Sequence, residues 1–393
     1  MSDADGTIAA RMPSLRSTRD YLGGQVRRLG QGELESVRVL LGIAVIWTIF
    51  QIANDRYLSA INLSNLVLQL AAVATISIGV VLVLLLGEID LSVGSVSGLA
   101  AAVMAVLSVK EGLSPELAIL VGLLVGTAIG LFNGFMVTII GIPSFVVTLA
   151  GLIGWQGLHL AVLGDTGAIN LPDNTITDLT STFFEDGVGW TMAVIAIAAY
   201  AGAVLFSRTR RARAGLEVPP FGETLVKLVA VGAAVTAAVA ILNQDRGVPL
   251  AALIVVVLMI VFSFLTERTQ FGRHIFAVGG NAEAARRAGI RINRIRIIVF
   301  MLASTLAAAG GVLAASRLLA VNQQSGGSDL LLFAIAGPVV AGTSLFGGRG
   351  FVWSALLGAL VIQSISNGMD LLALESDVKF MITGGVLLLA VTI

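Results

Sequence analysis

No cysteine occurs in the 393 residues, so disulfides, thiolate metal ligands and thiol nucleophiles are excluded. The redox compartment stays open for the same reason. Charge is scarce: 12% of residues are Asp, Glu, Lys or Arg, where a soluble domain carries about 25%. The only histidines are His159 and His274, and no His-Glu-x-x-His run is present, which argues against a zinc protease. There is no Gly-x-x-x-x-Gly-Lys-Ser/Thr phosphate loop, so the chain has no P-loop of its own. Nothing resembles a catalytic triad. No catalytic residue, no metal site and no cofactor are therefore expected in this chain. Net charge is zero, which gives no reason to expect nucleic acid as a partner.

What the chain has is apolar length. Hydrophobic residues make up 56% of it, and the mean hydropathy is +0.95. A helix needs about 20 mostly apolar residues to cross a bilayer, because the hydrocarbon offers backbone groups no water. Runs of that kind follow one another at 37–53, 66–86, 93–109, 117–140, 143–163, 188–206, 225–242, 249–266, 297–316, 333–346, 351–368 and 379–393. The expected fold is an all-α polytopic membrane protein, a bundle of about 10–12 transmembrane segments with one or two short or broken helices. Residues 37–393 read as a single transmembrane domain, since no segment between runs has the length of a separate globule.

The first 36 residues are polar and carry Arg11, Arg16, Arg19, Arg27 and Arg28. They lack the apolar core and small-residue cleavage site of a signal peptide and read as a cytoplasmic tail. Alternating sides from that tail places 19 of the 24 basic residues inside and five outside, namely Arg56, Lys110, Arg246, Arg317 and Lys379. That bias sets a multi-pass orientation with the N-terminus cytoplasmic. The longest outer loop, 164–187, carries Asp165, Asp173, Asp178, Glu185 and Asp186 and no base. The chain stops at Val391-Thr392-Ile393, in or just after an apolar run. A polar tail is expected there, so the sequence reads as truncated or as missing its end.

Four motifs interrupt the apolar pattern. Gly87-Glu88-Ile89-Asp90-Leu91-Ser92-Val93-Gly94-Ser95 sets two carboxylates between two runs with almost no loop. A carboxylate at membrane depth costs about 2.5–3.5 kcal/mol on insertion scales and persists where it pairs, lines water or serves function. Asp90 or Ser92 capping a helix from Val93 is one reading; a pathway or gate is the other. Gly141-Ile142-Pro143-Ser144 opens an apolar run as a helix start with Pro in its first turn. Beyond it Thr148, Gln156 and His159 face either neighbouring helices or a polar cavity. Gly337-Pro338 to Gly347-Gly348-Arg349-Gly350 is a run broken by Pro and glycine, a pattern tolerated only inside protein or along a cavity. Its Val340, Gly347 and Gly358 repeat the spacing of Val80, Gly87 and Gly98, a weak trace of an internal repeat. Gly122, Gly126, Gly130 and Gly134 recur every fourth residue, a spacing for close helix packing.

The fourth motif lies in the 267–296 loop, which holds seven arginines. Anionic lipid would satisfy the arginines alone, so membrane lipid is one expected partner. Asn281-Ala282-Glu283-Ala284-Ala285 followed by Gly289 adds a short helix with a glycine stop. Its small residues can seat in a protein groove.

Glu-Ala-Ala-x-x-x-Gly in such a loop resembles the coupling segment of permease subunits in ABC importers. Together with Gly-Glu-Ile-Asp-Leu-Ser-Val-Gly-Ser, Asn133-Gly134, Gly-Ile-Pro-Ser-Phe-Val-Val-Thr-Leu-Ala-Gly, Gly-Arg-His-Ile-Phe-Ala-Val-Gly-Gly-Asn and Gly-Gly-Arg-Gly, it is similar to the ribose/xylose type over about residues 40–393. Length and the extra apolar pair at 188–242 look most like xylose permeases. Many relatives read Gly-Gly-Ile-Asp where this chain has Gly87-Glu88-Ile89-Asp90.

The resemblance implies a permease that moves a monosaccharide, xylose or a related pentose, inward across the cytoplasmic membrane as a homodimer. An extracytoplasmic sugar-binding protein would deliver the sugar, and a cytoplasmic ATP-binding subunit would hold ATP and magnesium. It assigns Asn281, Glu283, Ala284, Ala285 and Gly289 to ATPase coupling. Glu88, Asp90, Ser92, Asn133, Ser144 and Thr148 are assigned to pathway or gate. Rival readings are a secondary transporter using Glu88 and Asp90 for ion coupling, a structural membrane subunit, or an ABC permease for another sugar, a nucleoside or autoinducer-2.

Overall fold

The structure is a computed structural model that describes residues 34–216, 218 and 220–392. Every one of the twelve apolar runs becomes a helix. In chain order they are α1 (Leu34–Ala53), α2 (Ala60–Leu85), α3 (Val93–Ala105), α4 (Pro115–Phe135) and α5 (Ser144–Leu163). A short α6 (Thr175–Ser181) precedes α7 (Asp186–Arg213), α8 (Phe221–Leu242) and α9 (Leu250–Arg268). Two short helices follow, α10 (Gln270–Gly280) and α11 (Ala282–Arg287). Then come α12 (Ile292–Leu318), α13 (Ser328–Val340), α14 (Trp353–Leu371) and α15 (Ser376–Thr392). Eight of the described helices are long and apolar enough to cross a membrane. The protein is an all-α polytopic membrane protein. The residues on 1–33, where most of the N-terminal tail falls, lie outside the described ones.

Burial ranks the helices. In α2, 89% of the apolar window is buried inside the protein, against 11% in α7 and in α8. A helix apolar on every face is stable where protein surrounds it, and α2 packs against α12, α13 and α14. The glycine stripe of α4 explains the closest of the packed pairs. A Cβ at Gly130 would overlap the carbonyl oxygen of Phe300, and one at Gly126 would lie 2.6 Å from the Ser304 oxygen, both on α12. Without side chains there, the two backbones touch.

The two ends of the bundle differ. One end gathers the turn 86–92, the 269–291 segment and the irregular stretch 341–352, with the arginines of α7, α9, α10, α11 and Arg349 around it. The opposite end carries the acidic 164–187 segment, tied down by two short antiparallel ribbons. There β1 (Ala168–Asn170) pairs with β4 (Ala320–Asn322), and β2 (Phe183–Phe184) with β3 (Val248–Pro249).

Boundaries shift in two places. The run at 333–346 becomes α13 over Ser328–Val340, and 341–352 is irregular. Pro338 removes a backbone donor near the helix end, and Gly342, Gly347, Gly348 and Gly350 all take positive φ. Pro143 is the N-cap of α5 rather than a first-turn residue.

Candidate functional site

The short turn between α2 and α3 gathers all six residues assigned to pathway or gate. Asp90 is 3% exposed. Its Oδ1 accepts from the Ser92 amide at 2.8 Å and from the Ser92 hydroxyl at 2.6 Å. The same hydroxyl oxygen accepts from Asn133 Nδ2 of α4 at 3.1 Å. On the other flank, the Ile89 amide donates to Ser144 Oγ at 3.3 Å, and Thr148 Oγ1 donates to the Ile89 carbonyl at 3.3 Å. Glu88 points the other way and pairs with Arg296 of α12 at 2.8 Å. One heptapeptide is thereby bonded to α4, α5 and α12.

This geometry changes one expectation. Ser92 does sit at the N-cap of α3, but its side chain makes no capping bond. Its hydroxyl is committed to Asp90 instead, so neither Asp90 nor Ser92 caps the helix. Asp90, Ser92, Asn133, Ser144 and Thr148 are buried, Glu88 is partly exposed, and together they form a polar junction. Asp90 Oδ2 and Asn133 Oδ1 are buried acceptors without a hydrogen-bond partner among the described residues. Burial pushes the Asp90 carboxyl, in the turn between two spans, above the usual carboxylate range, while the bonds from Ser92 pull it back. Buried groups left partly unpaired cost stability.

The 269–291 segment fastens to the same turn. Thr269 and Asn281 cap α10 and α11, Asn281 Oδ1 accepting from the Ala284 amide at 2.9 Å. Gly289 ends the segment at φ 83°. Asn281, Glu283, Ala284 and Gly289 are exposed, with Glu283 held by Arg287 at 3.3 Å and Arg286 at 3.7 Å. Ala285 parts from its neighbours: it is 5% exposed and packs into the core. A partner can therefore touch four of the five coupling candidates, and Ala285 anchors the helix that presents them.

The anchor at the end of α10 is backbone against backbone. A Cβ at Gly279 would overlap the Leu85 carbonyl oxygen and lie 2.8 Å from the Gly348 nitrogen. The Gly348 amide donates to that same Leu85 carbonyl at 3.0 Å. A Cβ at Gly347 would meet both the Gly87 nitrogen at 2.7 Å and the Gly279 oxygen at 2.8 Å. The turns carrying the repeated Gly87 and Gly347 thus lie against each other, with α10 closing the contact. Sequence reading picked out both turns and missed that α10 joins them, because glycine contacts leave no side-chain pattern.

A second feature lies apart, toward the acidic end. A cavity of about 910 Å³ is lined by residues of α2, α3, α5, α12, α14 and the 323–329 stretch. Gln156 lines it, as one sequence reading had it; His159 is fully buried and Thr148 bonds to backbone, so neither does.

A family model described as the branched-chain amino acid transport system / permease component matches residues 62–391. The chain belongs to this permease family. It is 35% identical to a xylose transport system permease protein of Haemophilus influenzae, over 93% of this chain and 97% of that one. A xylose transport system permease protein of Escherichia coli K12 is also 35% identical, over 88% of this chain and 86% of its own length. A ribose import permease protein of Bacillus subtilis is 30% identical over 92% of both chains. No solved structure matches. The chain is a sugar ABC permease of the ribose/xylose type and a multi-pass protein of the inner membrane.

Proposed function

We propose that the chain is the membrane subunit of an ATP-driven importer for a pentose, xylose first among them. In this reading residues 37–393 act as one domain after a cytoplasmic tail, and the basic end faces the cytoplasm, in keeping with the positive-inside bias. Two copies form the translocation unit, and a sugar-binding protein docks at the acidic end. A separate ATPase binds the exposed face of Asn281, Glu283, Ala284 and Gly289. The observation that carries the proposal is the Gly279–Leu85–Gly348 contact. It joins α10 and α11 to the turn that holds Glu88, Asp90 and Ser92, so a displacement of α10 reaches Asn133, Ser144 and Thr148 without a flexible intermediate. The xylose assignment draws on the names of the relatives.

The test is reconstitution in proteoliposomes with its ATPase and sugar-binding protein. D-Xylose uptake is expected with ATP and no ion gradient. Glu283→Arg and Gly289→Trp are each expected to abolish co-purification of the ATPase. Uptake that follows an ion gradient and ignores ATP would establish the secondary-transporter reading instead. Full ATPase retention by both variants would remove the docking assignment.

A further inference from the structure

Five carboxamides are spread around the otherwise largely apolar wall of the cavity toward the acidic end. Gln69 comes from α2, Gln156 from α5, Gln363 from α14, and Gln323 and Gln324 from the stretch after β4. Gln363 is 8% exposed and lines the cavity, and its amide makes no hydrogen bond to another described residue, so its donors and acceptor are left for what fills the cavity. Its neighbour one turn on, Ser366, lines the same wall.

The opposite wall is fixed in place. Gln156 Nε2 donates to the Gln323 carbonyl at 3.1 Å. The backbone of Ser325–Gly326 is seated directly on α3: a Cβ at Gly98 would overlap the Ser325 oxygen, and one at Gly326 would overlap the Gly94 oxygen. That wall is thus a rigid ledge rather than a loose loop. Charge is present but balanced. Arg317 feels the field of Asp370, Asp370 is paired with Lys379 at 2.6 Å, and Asp329 also lines the cavity, so two charges of each sign stand there. Phe333 and Phe380 add apolar faces.

Each carboxamide offers donors and an acceptor, which matches a hydroxyl, itself donor and acceptor. A net anion or cation would find no excess of opposite charge here. The volume falls within the range of about 300–1,000 Å³ for small-molecule sites, and is large enough to hold a small ligand with water around it. From these observations we infer that each permease subunit carries its own binding site for a neutral polyhydroxylated ligand, with Gln363 as a recognising residue. The sugar would thus be held within the permease after leaving its binding protein. The inference rests on the sugar-importer reading for its ligand class.

The absence of native cysteine makes the test direct. Leu318 lines the cavity, is 57% exposed and makes no polar contact. Leu318→Cys in the full-length chain, assembled with its ATPase and without the binding protein, is labelled with a membrane-impermeant maleimide. D-Xylose or D-ribose is expected to slow labelling severalfold, and osmotically matched salt to leave it unchanged. Adding Gln363→Met, which keeps volume and removes the amide, is expected to weaken that protection about tenfold in sugar concentration with the sugar-free labelling rate intact. Ser344→Cys, at the basic end, is expected not to respond to sugar. If neither sugar protects, or protection is equal with Gln363→Met, the site is refuted. Uptake by the reconstituted wild-type importer reports on the transport reading separately. Uptake without protection defeats this inference alone, and protection without uptake defeats only the ATP-driven reading.

Discussion

At the basic end of the bundle, backbone meets backbone, and Glu88, Asp90 and Ser92 of the α2–α3 turn each bond to another side chain. Toward the acidic end, amides stand around open volume, and that of Gln363 bonds to no other described residue. The first region is joined to a pair of short helices that a partner could grip, and the second borders the stretch after β4. The contrast separates two tasks. A junction that must transmit a displacement gains from having nothing compressible in it. A compartment that must release what it binds gains from water and from polar groups whose bonds can be exchanged.

The largest effect should come from breaking the rigid contact. Gly279→Leu places atoms where the Leu85 carbonyl and the Gly348 amide already lie. Overpacking costs about 1–3 kcal/mol where side chains can shift; here both obstacles are backbone. Loss of uptake and a marked drop in melting temperature are expected. Its neighbour supplies the control, since a Cβ at Gly280 meets nothing within 4 Å. Gly280→Ala should transport normally. Equal damage from both would mean that α10 tolerates no change at all, and the contact would lose its special standing.

Next in size is the buried acid. Asp90→Ala leaves the Ser92 amide and hydroxyl without their acceptor, which costs about 1–3 kcal/mol for groups that stay buried. Asp90→Asn keeps an acceptor for both and should stay within about 1 kcal/mol. Thermal unfolding of the purified variants decides this. If the two substitutions destabilise equally, the charge of Asp90 matters and its bonds to Ser92 do not.

Much of this was legible beforehand and some was not. All twelve apolar runs became helices because a spanning helix must be written as continuous apolar length. The six polar residues around Glu88 and Asp90 were recognisable singly, since a polar group between apolar runs stands out. Their joining was not, because Asn133 and Ser144 reach Ser92 and Ile89 from other helices at sequence distances that follow no period. The cavity was harder still. Gln156 was picked out, but Gln69 and Gln363 sit one to a helix, inside runs that read as ordinary apolar spans. Gln323, Gln324 and Asp329, close together between two runs, were the visible part and were passed over.

The ion pair between Glu88 and Arg296 should rank third. Its side chains are 13% and 28% exposed, between the surface case of about 0–1 kcal/mol and the buried case of about 3–5 kcal/mol when one partner is removed. Glu88→Gln and Arg296→Gln are each expected to destabilise by about 1–2 kcal/mol, and the double variant by less than their sum. A double-mutant cycle on melting temperature measures the coupling. Strict additivity would show that the pair does not tie the turn to α12.

The smallest effect on stability should come from Glu283, and that makes it the sharpest probe of the basic end. Its partners Arg286 and Arg287 are 71% and 80% exposed and Glu283 itself 58%, so solvent screens both pairs. Exposed pairs on one helix contribute about 0.3–0.5 kcal/mol, and Glu283→Ala should leave the melting temperature of the isolated permease nearly unchanged. Ala285→Glu should do the reverse, since it drives a charge into a buried position and the permease itself should melt earlier. If Glu283→Ala lowers ATPase co-purification without touching stability, the exposed face of α11 is a docking surface. If it lowers neither, the arginines around it act on lipid alone, and the backbone contact at Gly279 transmits nothing from a partner.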